Sequence, residues 1–380
     1  MSLLMDRRTG FDESHSMFRD SVRRFLDEEL TPNVERFDED GKSDRAFWRK
    51  AGDAGLLCPQ VPEAYGGLGL DFRYNAVVAE ELAYAASPIA LGVHSDITPE
   101  YLILHGTEEQ KQTYLPRMVS GECISAIVMT EPGGGSDLAR IRTTARRVGG
   151  EFIVNGAKTY ISNGQNADLL VTAVRTGGEG ARGISMLLID ADLPGVMRGR
   201  NLDKIGQWSA DTSEIFFEDV RVPADRILGE EGQGFAYMMT RLPQERLSIA
   251  ISAQAAAQRA LDEAVGFTKD RAAFGKTVFD FQNTRFTLAD MATKLQLGWA
   301  HLDWCLDRLV KEQLTPAEAS AAKLWHTETL WDVVDAALQL HGGAGYMNEY
   351  AIARLWRDSR VLRIYGGTSE IMKEVVARSI

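Results

Sequence analysis

The stretch MTEPGGGSD, from Met129 to Asp137, has residue types and spacing that can hold a ligand by its backbone. Gly133, Gly134 and Gly135 carry no side chain, so N–H groups there can come close to a flat or anionic molecule. Thr130 and Ser136 keep hydroxyls that donate and accept. Pro132 followed by glycines is also how an ordinary strand-to-strand connection is written, and this loop alone leaves both readings open. Three more segments carry glycines with hydrogen-bonding or aromatic groups: YISNG at 160–164, QLHGGAGY at 339–346 and IYGGTSE at 364–370. In Pro243-Gln244-Glu245-Arg246 a carboxylate sits beside a guanidinium, which on spacing alone reads as a first-turn acid after a helix-starting proline. Metal chemistry is not expected: the histidines (15, 94, 105, 301, 326, 341) show no close pairing. Cys58, Cys123 and Cys305 are too few and too scattered for a disulfide framework or a structural zinc site.

These groups need elements to position them. Met17, Phe18, Val22, Phe25, Leu26 and Leu30 recur at helical spacing up to Pro32, which is expected to stop the run. Further helices are expected around Phe47–Leu57, Ala76–Ala86 and Pro99–His105. From Cys123 the pattern changes to short aliphatic and β-branched runs (ISAIVM, EFIVNGAKTYIS, DLLVTAV, GISMLLID, EIFFEDVRV) bounded by Gly, Asn, Asp or Pro, which is a β pattern. Asn155-Gly156 predicts a hairpin turn. From Gly232 the helical period returns, with Leu247, Ala250, Ala253, Ala257, Leu261 and Ala264 on one face. Thr315-Pro316-Ala317-Glu318 predicts a capped helix start, and Gly342 or Gly343 its left-handed end. The expected architecture is α+β and multidomain: an N-terminal helical domain (1–122), a middle β-barrel or sandwich (123–231) and a C-terminal four-helix bundle (232–380).

The 380 residues, 44% hydrophobic and 25% charged, can build large cores in more than one domain. A formal charge of −12 argues against nucleic acid as the main partner. No run approaches the ~18 uninterrupted apolar residues of a membrane span. MSLLMDRRTGFDESH lacks the apolar core of a signal peptide, so a cytoplasmic protein is expected.

Together, MTEPGGGSD, YISNG, QLHGGAGY and IYGGTSE, in this order and with RAAFGKTVFDFQ (Arg271 to Gln282), resemble the acyl-CoA dehydrogenase family over essentially the whole chain. PQERLSIA and IYGGTSEIMKEVVAR look most like its long-chain members. The resemblance implies FAD between the β domain and the C-terminal helices, with Ile127, Met129, Thr130, Gly135, Ser136, Tyr160, Ile161 and Ser162 at the flavin. It implies that Arg271, Phe274, Gln282 and Gln339, Leu340, His341, Gly342 and Gly343 reach the FAD of a neighbouring subunit in a homotetramer, a dimer of dimers. Without the family match, Arg271 reads as a solvated helix-end charge, and the glycine pair as a helix stop. Thr368, Ser369 and Glu370 resemble the adenosine-contacting triplet, and read equally as an N-cap and first-turn acid.

Many members carry the catalytic glutamate where this chain has Gly366; the other family solution places it on a C-terminal helix, where Glu245 matches. The implied reaction takes the α proton of an acyl-CoA to Glu245 and the β hydride to the flavin, giving a trans-2-enoyl-CoA. The Gly366 N–H is then a donor to the thioester oxygen, and the small residue leaves room for the Glu245 carboxylate. Pro243, Gln244, Arg246, Ser136 and Gly367 join Glu245 and Gly366 as expected substrate contacts. Side chains around Tyr101–His105 and on the Glu245 helix are expected to set cavity length. Ala236, between Phe235 and Tyr237, stands where long-chain relatives carry an aromatic. The expected electron acceptor is an electron-transferring flavoprotein. The alternatives are an oxygen-using oxidase, whose members tend to have an extra C-terminal helical domain, and a non-catalytic, nucleic-acid-associated FAD protein, against which the acidic balance counts.

Overall fold

A computed structural model describes residues 8–380, so the first seven residues of the stretch read for a signal peptide lie outside it. Before the first strand come α1 (Glu13–Phe25), α2 (Val34–Asp40), α3 (Arg45–Asp53), α4 (Phe72–Tyr84), α5 (Thr98–His105) and α6 (Glu108–Val119). The Asp12 carboxylate accepts from the Ser14 and His15 N–H groups and starts α1. The run does not stop at Pro32. A π turn, Leu26–Leu30, brings the Thr31 N–H to the Leu26 carbonyl, and Pro32 then falls at the start of a 3-10 turn, where no donor is required, before α2 continues.

The strands are β1 (Ser125–Val128), β2 (Thr144–Val148), β3 (Glu151–Ser162), β4 (Leu169–Arg175), β5 (Ile184–Asp190), β6 (Val196–Asn201), β7 (Thr212–Pro223) and β8 (Ile227–Leu228). They follow the order β6-β7-β3-β2-β4-β5-β8, with β1 parallel to β4. β4 explains why two strands read as unbroken apolar runs. Leu169, Val171 and Ala173 join the helical core around Trp48, Tyr101 and Leu102, while Leu170 and Val174 meet Phe152, Val154 and Phe217 in a second core. The β layer thus has a core of its own on one face of β4 and shares the helical core on the other, without its end strands β6 and β8 pairing.

Asn155-Gly156 is not a hairpin turn. Both residues lie inside β3, at a bulge where Gly156 has φ +153° and a Cβ would come within 2.5 Å of Thr143 Oγ1. Asn155 spends its amide on β7, donating to Asp219 (3.0 Å) and accepting the Asp219 N–H (2.9 Å). β2 and β3 instead turn at Gly149-Gly150.

The remainder is α7 (Gly234–Asp270), a hairpin of β9 (Ala272–Ala273) and β10 (Lys276–Thr277), then α8 (Gln282–Val310), α9 (Pro316–His341), α10 (Ala351–Ser359) and α11 (Ser369–Ala377). α7 packs on α4, α8 and α9, and α10 and α11 lie on α9. Ala253, Ala257, Ala260 and Ala264 let α7 approach Leu330, Val333, Val334 and Ala337 of α9. The Thr315/Glu318 capping box starts α9. Gly342 ends it at φ +58°, ψ −136°, outside the left-handed helical region expected there. No helix among the described residues is long and apolar enough to cross a membrane.

Candidate active site

Between α4, the β layer and α7 lies a cavity of about 800 Å³. The ends of β1 and β3 reach it together: Ile127 of β1 and Met129, Thr130, Gly135 and Ser136 of the loop after it line one side, Tyr160, Ile161 and Ser162 at the end of β3 the other. What joins the loop to the strand is a pair that sequence reasoning missed. Lys158, fully buried, donates to Glu131 Oε1 (2.9 Å) and to the Met129 carbonyl (3.0 Å). The Glu131 carboxylate also accepts the Arg142 and Thr143 N–H groups (2.7 and 2.9 Å), which together with Lys158 hold it below its ordinary pKa although burial opposes this. Lys158 is pulled down to about 8 by burial, against the attraction of Glu131. Only a charge in the middle of an apolar strand, EFIVNGAKTYIS, could have signalled it.

Glu245 and Arg246 line the same cavity from α7. Pro243 lies ten residues inside this 37-residue helix, so Glu245 is not a first-turn acid and the helix N-terminus does not account for its place. Its Oε1 accepts the Tyr101 hydroxyl at 3.1 Å, and only 8% of the residue is exposed. Burial raises its pKa to about 7, opposed by the Tyr101 hydrogen bond and by Arg246 and Arg241. Pro243 and Gln244 are buried but do not line the cavity; Gln244 donates to the Asp96 carbonyl (2.9 Å).

Gly366 and Gly367 line the cavity beside α7. At Gly366 φ is +65°, and a Cβ would lie 2.3 Å from Ile249 Cδ1. The clearance that glycine provides therefore goes to Ile249, one turn after Glu245, and not to the carboxylate itself. The same two facts disfavour a glutamate at this position. Arg246 Nε donates to the Gly366 carbonyl (3.4 Å) and Lys323 Nζ to that of Gly367 (2.7 Å).

The depth of the cavity is not set by Tyr101–His105. Tyr101 is fully buried beside Glu245, and His105 stacks on Tyr237 (3.8 Å between centroids); neither lines the space. Ala79, Leu82 and Ala83 of α4 and Ser252 and Ala256 of α7 do. Ala236 is exposed, while Phe235 faces the cavity.

The remaining expected cofactor residues lie elsewhere. Arg271, Phe274, Gln282, Gln339, Gly342 and Gly343 are exposed, Phe274 at 96%, and Leu340 is half-buried. His341 is buried, bonded to the Ala337 carbonyl (2.7 Å) and stacked on Phe267 at 4.4 Å. Because the Arg271 N–H bonds the Phe267 carbonyl (2.9 Å), the two motifs share one surface region. Thr368 caps α11 through the Ile371 N–H, Ser369 donates to Glu328 (2.5 Å), and Glu370 is exposed; none of the three lines the cavity.

The cavity walls fit a flavin. Thr130 and Ser162 offer hydroxyls that bond to no other side chain among the described residues, beside apolar Ile127, Met129 and Ile161. The space around Gly133 and Gly134 is open, so backbone can be approached there. Helices, a β layer and helices around a cavity with the buried Glu245 carboxylate on its wall define a flavin-dependent oxidoreductase of the acyl-CoA-oxidising type.

The chain belongs to the acyl-CoA dehydrogenase family. It matches that family's N-terminal domain over residues 12–122, its middle domain over 126–220 and its C-terminal domain over 232–380. It is 44% identical over 377 residues to the mitochondrial long-chain specific acyl-CoA dehydrogenase of Rattus norvegicus, covering 98% of this chain and 88% of that protein. The crystal structure of an acyl-CoA dehydrogenase from Geobacillus kaustophilus is 47% identical, with a TM-score of 0.97, covering 98% of this chain and 99% of the other. A glutaryl-CoA dehydrogenase from Mycobacterium smegmatis, solved in complex with FADH2, is 28% identical with a TM-score of 0.92, covering 97% and 95%. The protein is an FAD-dependent oxidoreductase acting on acyl-CoA.

Proposed function

We propose that the enzyme desaturates a long-chain or branched acyl-CoA to the trans-2-enoyl-CoA, with Glu245 as the base that takes the α proton. The observation that carries this reading is the Glu245 carboxylate, buried on the cavity wall with its pKa raised by burial to about 7 and, among the described residues, only the Tyr101 hydroxyl bonded to it. Asp96 and Asp358, on the same wall and each raised to about 6, are engaged by Ser248 and Asn75 and by the Gln207 N–H. A base with a pKa near the working pH combines a usable ionised fraction with proton affinity, a contribution on the order of 10² to 10⁴ in rate. Thr130, Ser162 and the Met129–Ser136 backbone would hold the flavin, and bound FAD accepts the hydride from the β carbon. The Gly366 N–H would meet the thioester oxygen as it gains charge. The apolar surroundings keep water from the carboxylate, and Tyr101 fixes its orientation. Ala79, Ala83 and Ala256 leave depth for an extended or branched acyl chain.

Electrons would pass to an electron-transferring flavoprotein in the cytoplasm. The exposed Arg271, Phe274, Gln282 and Gln339 would complete the FAD site of a second copy within a homotetramer. Anaerobic mixing with a chain-length series of acyl-CoAs tests the reading. Flavin bleaching is expected to be fastest with long or branched chains. Bleaching restricted to short straight chains would overturn the substrate class, and no bleaching with any acyl-CoA would overturn the reaction.

A further inference from the structure

We propose that Lys323 is a positioning residue for the thioester-oxygen site, acting with Arg246 through the carbonyls of the Gly366-Gly367 turn. The inference rests on the reading of Gly366 N–H as the donor to that oxygen.

Lys323 lies on α9 and is fully buried, and its ammonium donates to the Gly367 carbonyl at 2.7 Å. No carboxylate among the described residues lies within ion-pair distance of it. A buried, unpaired ammonium is costly, and burial with Arg246 nearby pulls its pKa down to about 8. Plain packing would be served better by a methionine, so the charge needs another explanation.

The turn supplies one. Arg246 reaches the Gly366 carbonyl through Nε (3.4 Å) while its Nη1 is held by Ser320 Oγ (3.0 Å). Ser320 and Lys323 are three residues apart on α9, so one face of that helix supports both cations. Two consecutive carbonyls of a side-chain-free turn, at φ +65° and +103°, are thereby each given a cationic donor. Peptide planarity ties the Gly366 carbonyl to the Gly367 N–H and the Gly367 carbonyl to the Thr368 N–H, so the two cations pin the two peptide planes that follow Gly366 and restrict ψ at both glycines. The Gly366 N–H itself lies in the preceding plane, so the cations act on it by anchoring the Gly366 Cα from its C-terminal side, which limits how far the donor can swing before substrate arrives. Both positive charges also stand on the turn that bears this donor, where a preorganised cationic field would favour negative charge on a thioester oxygen bound to the Gly366 N–H.

The test uses FAD-loaded enzyme and a non-oxidisable 3-thia-acyl-CoA, whose bound enolate gives a long-wavelength absorption with the flavin. This reports α-proton acidity without turnover. Lys323→Met is expected to raise the apparent pKa of enolate formation by about one unit. It should also lower kcat roughly 10- to 100-fold with little change in KM, and Lys323→Arg should recover most of both. Ser320→Ala, which frees Arg246 without touching the lysine, should move the enolate pKa the same way by a smaller amount, and it decides the matter if Lys323→Met does not fold. Unchanged enolate pKa and kcat in folded Lys323→Met, or in Ser320→Ala when that is the readable variant, would overturn the proposal. Wild-type enzyme that forms no enolate would instead overturn the underlying reading of the reaction.

Discussion

At the scale of single residues, the proposed reaction depends on where the Glu245 carboxylate stands relative to water. Glu245 is held among apolar neighbours with one hydrogen bond from Tyr101, and burial outweighs the nearby guanidinium groups. The sign of its pH dependence follows. A base raised to about 7 must lose its proton to act, so kcat/KM should fall about tenfold per pH unit below roughly 7 and level off above it. A pH–rate profile checks this, and an acid limb near the ordinary glutamate value would contradict the burial argument. The place of Glu245 on the cavity wall was legible in the sequence. The glycine strings and the carboxylate missing at Gly366 pointed to the cavity and to Glu245. Lys158 and Lys323 were not legible, because each contacts atoms distant in sequence: Glu131 is 27 positions from Lys158, and the Gly367 carbonyl 44 from Lys323. A lone lysine in an apolar stretch does not name its partner.

At the scale of elements, helix α7 and the 364–367 turn set the geometry. Pro243 read as a helix start because proline is favoured at the first position, yet here it sits in the helix interior, tolerated despite the missing donor. Tertiary packing overrode a local rule, as it did at Pro32 and at Asn155-Gly156, where a bulge against β7 uses the residues that usually make a turn. The turn is the more sensitive element. Gly366→Ala would combine a left-handed φ with a clash against Ile249, and is expected to cost about 1–3 kcal/mol of stability and to slow flavin reduction. Thermal unfolding and anaerobic kinetics read both effects, and a variant with wild-type melting and rate would show that the turn has slack which these contacts do not suggest.

At the scale of the whole molecule, the alternating residues of β4 tie the helical core to the core of the β layer, and α7 then lies against both α4 and α9. The order of helices, strands and helices was legible because hydrophobic period changes sharply near Cys123 and Gly232. The burial of β4 on two faces was not, since an unbroken apolar run does not say which core each side chain enters. Glu245 comes to the cavity only through this arrangement: α7 presents it, Tyr101 of α5 meets it, and the loop after β1 and the end of β3 line the same space. The most direct measurement is anaerobic mixing of FAD-loaded Glu245→Gln with a long-chain acyl-CoA that bleaches the wild-type flavin. The variant is expected to stay yellow, bind the thioester and reduce its flavin slower by roughly 10² or more; reduction at the wild-type rate would contradict the assignment of the base.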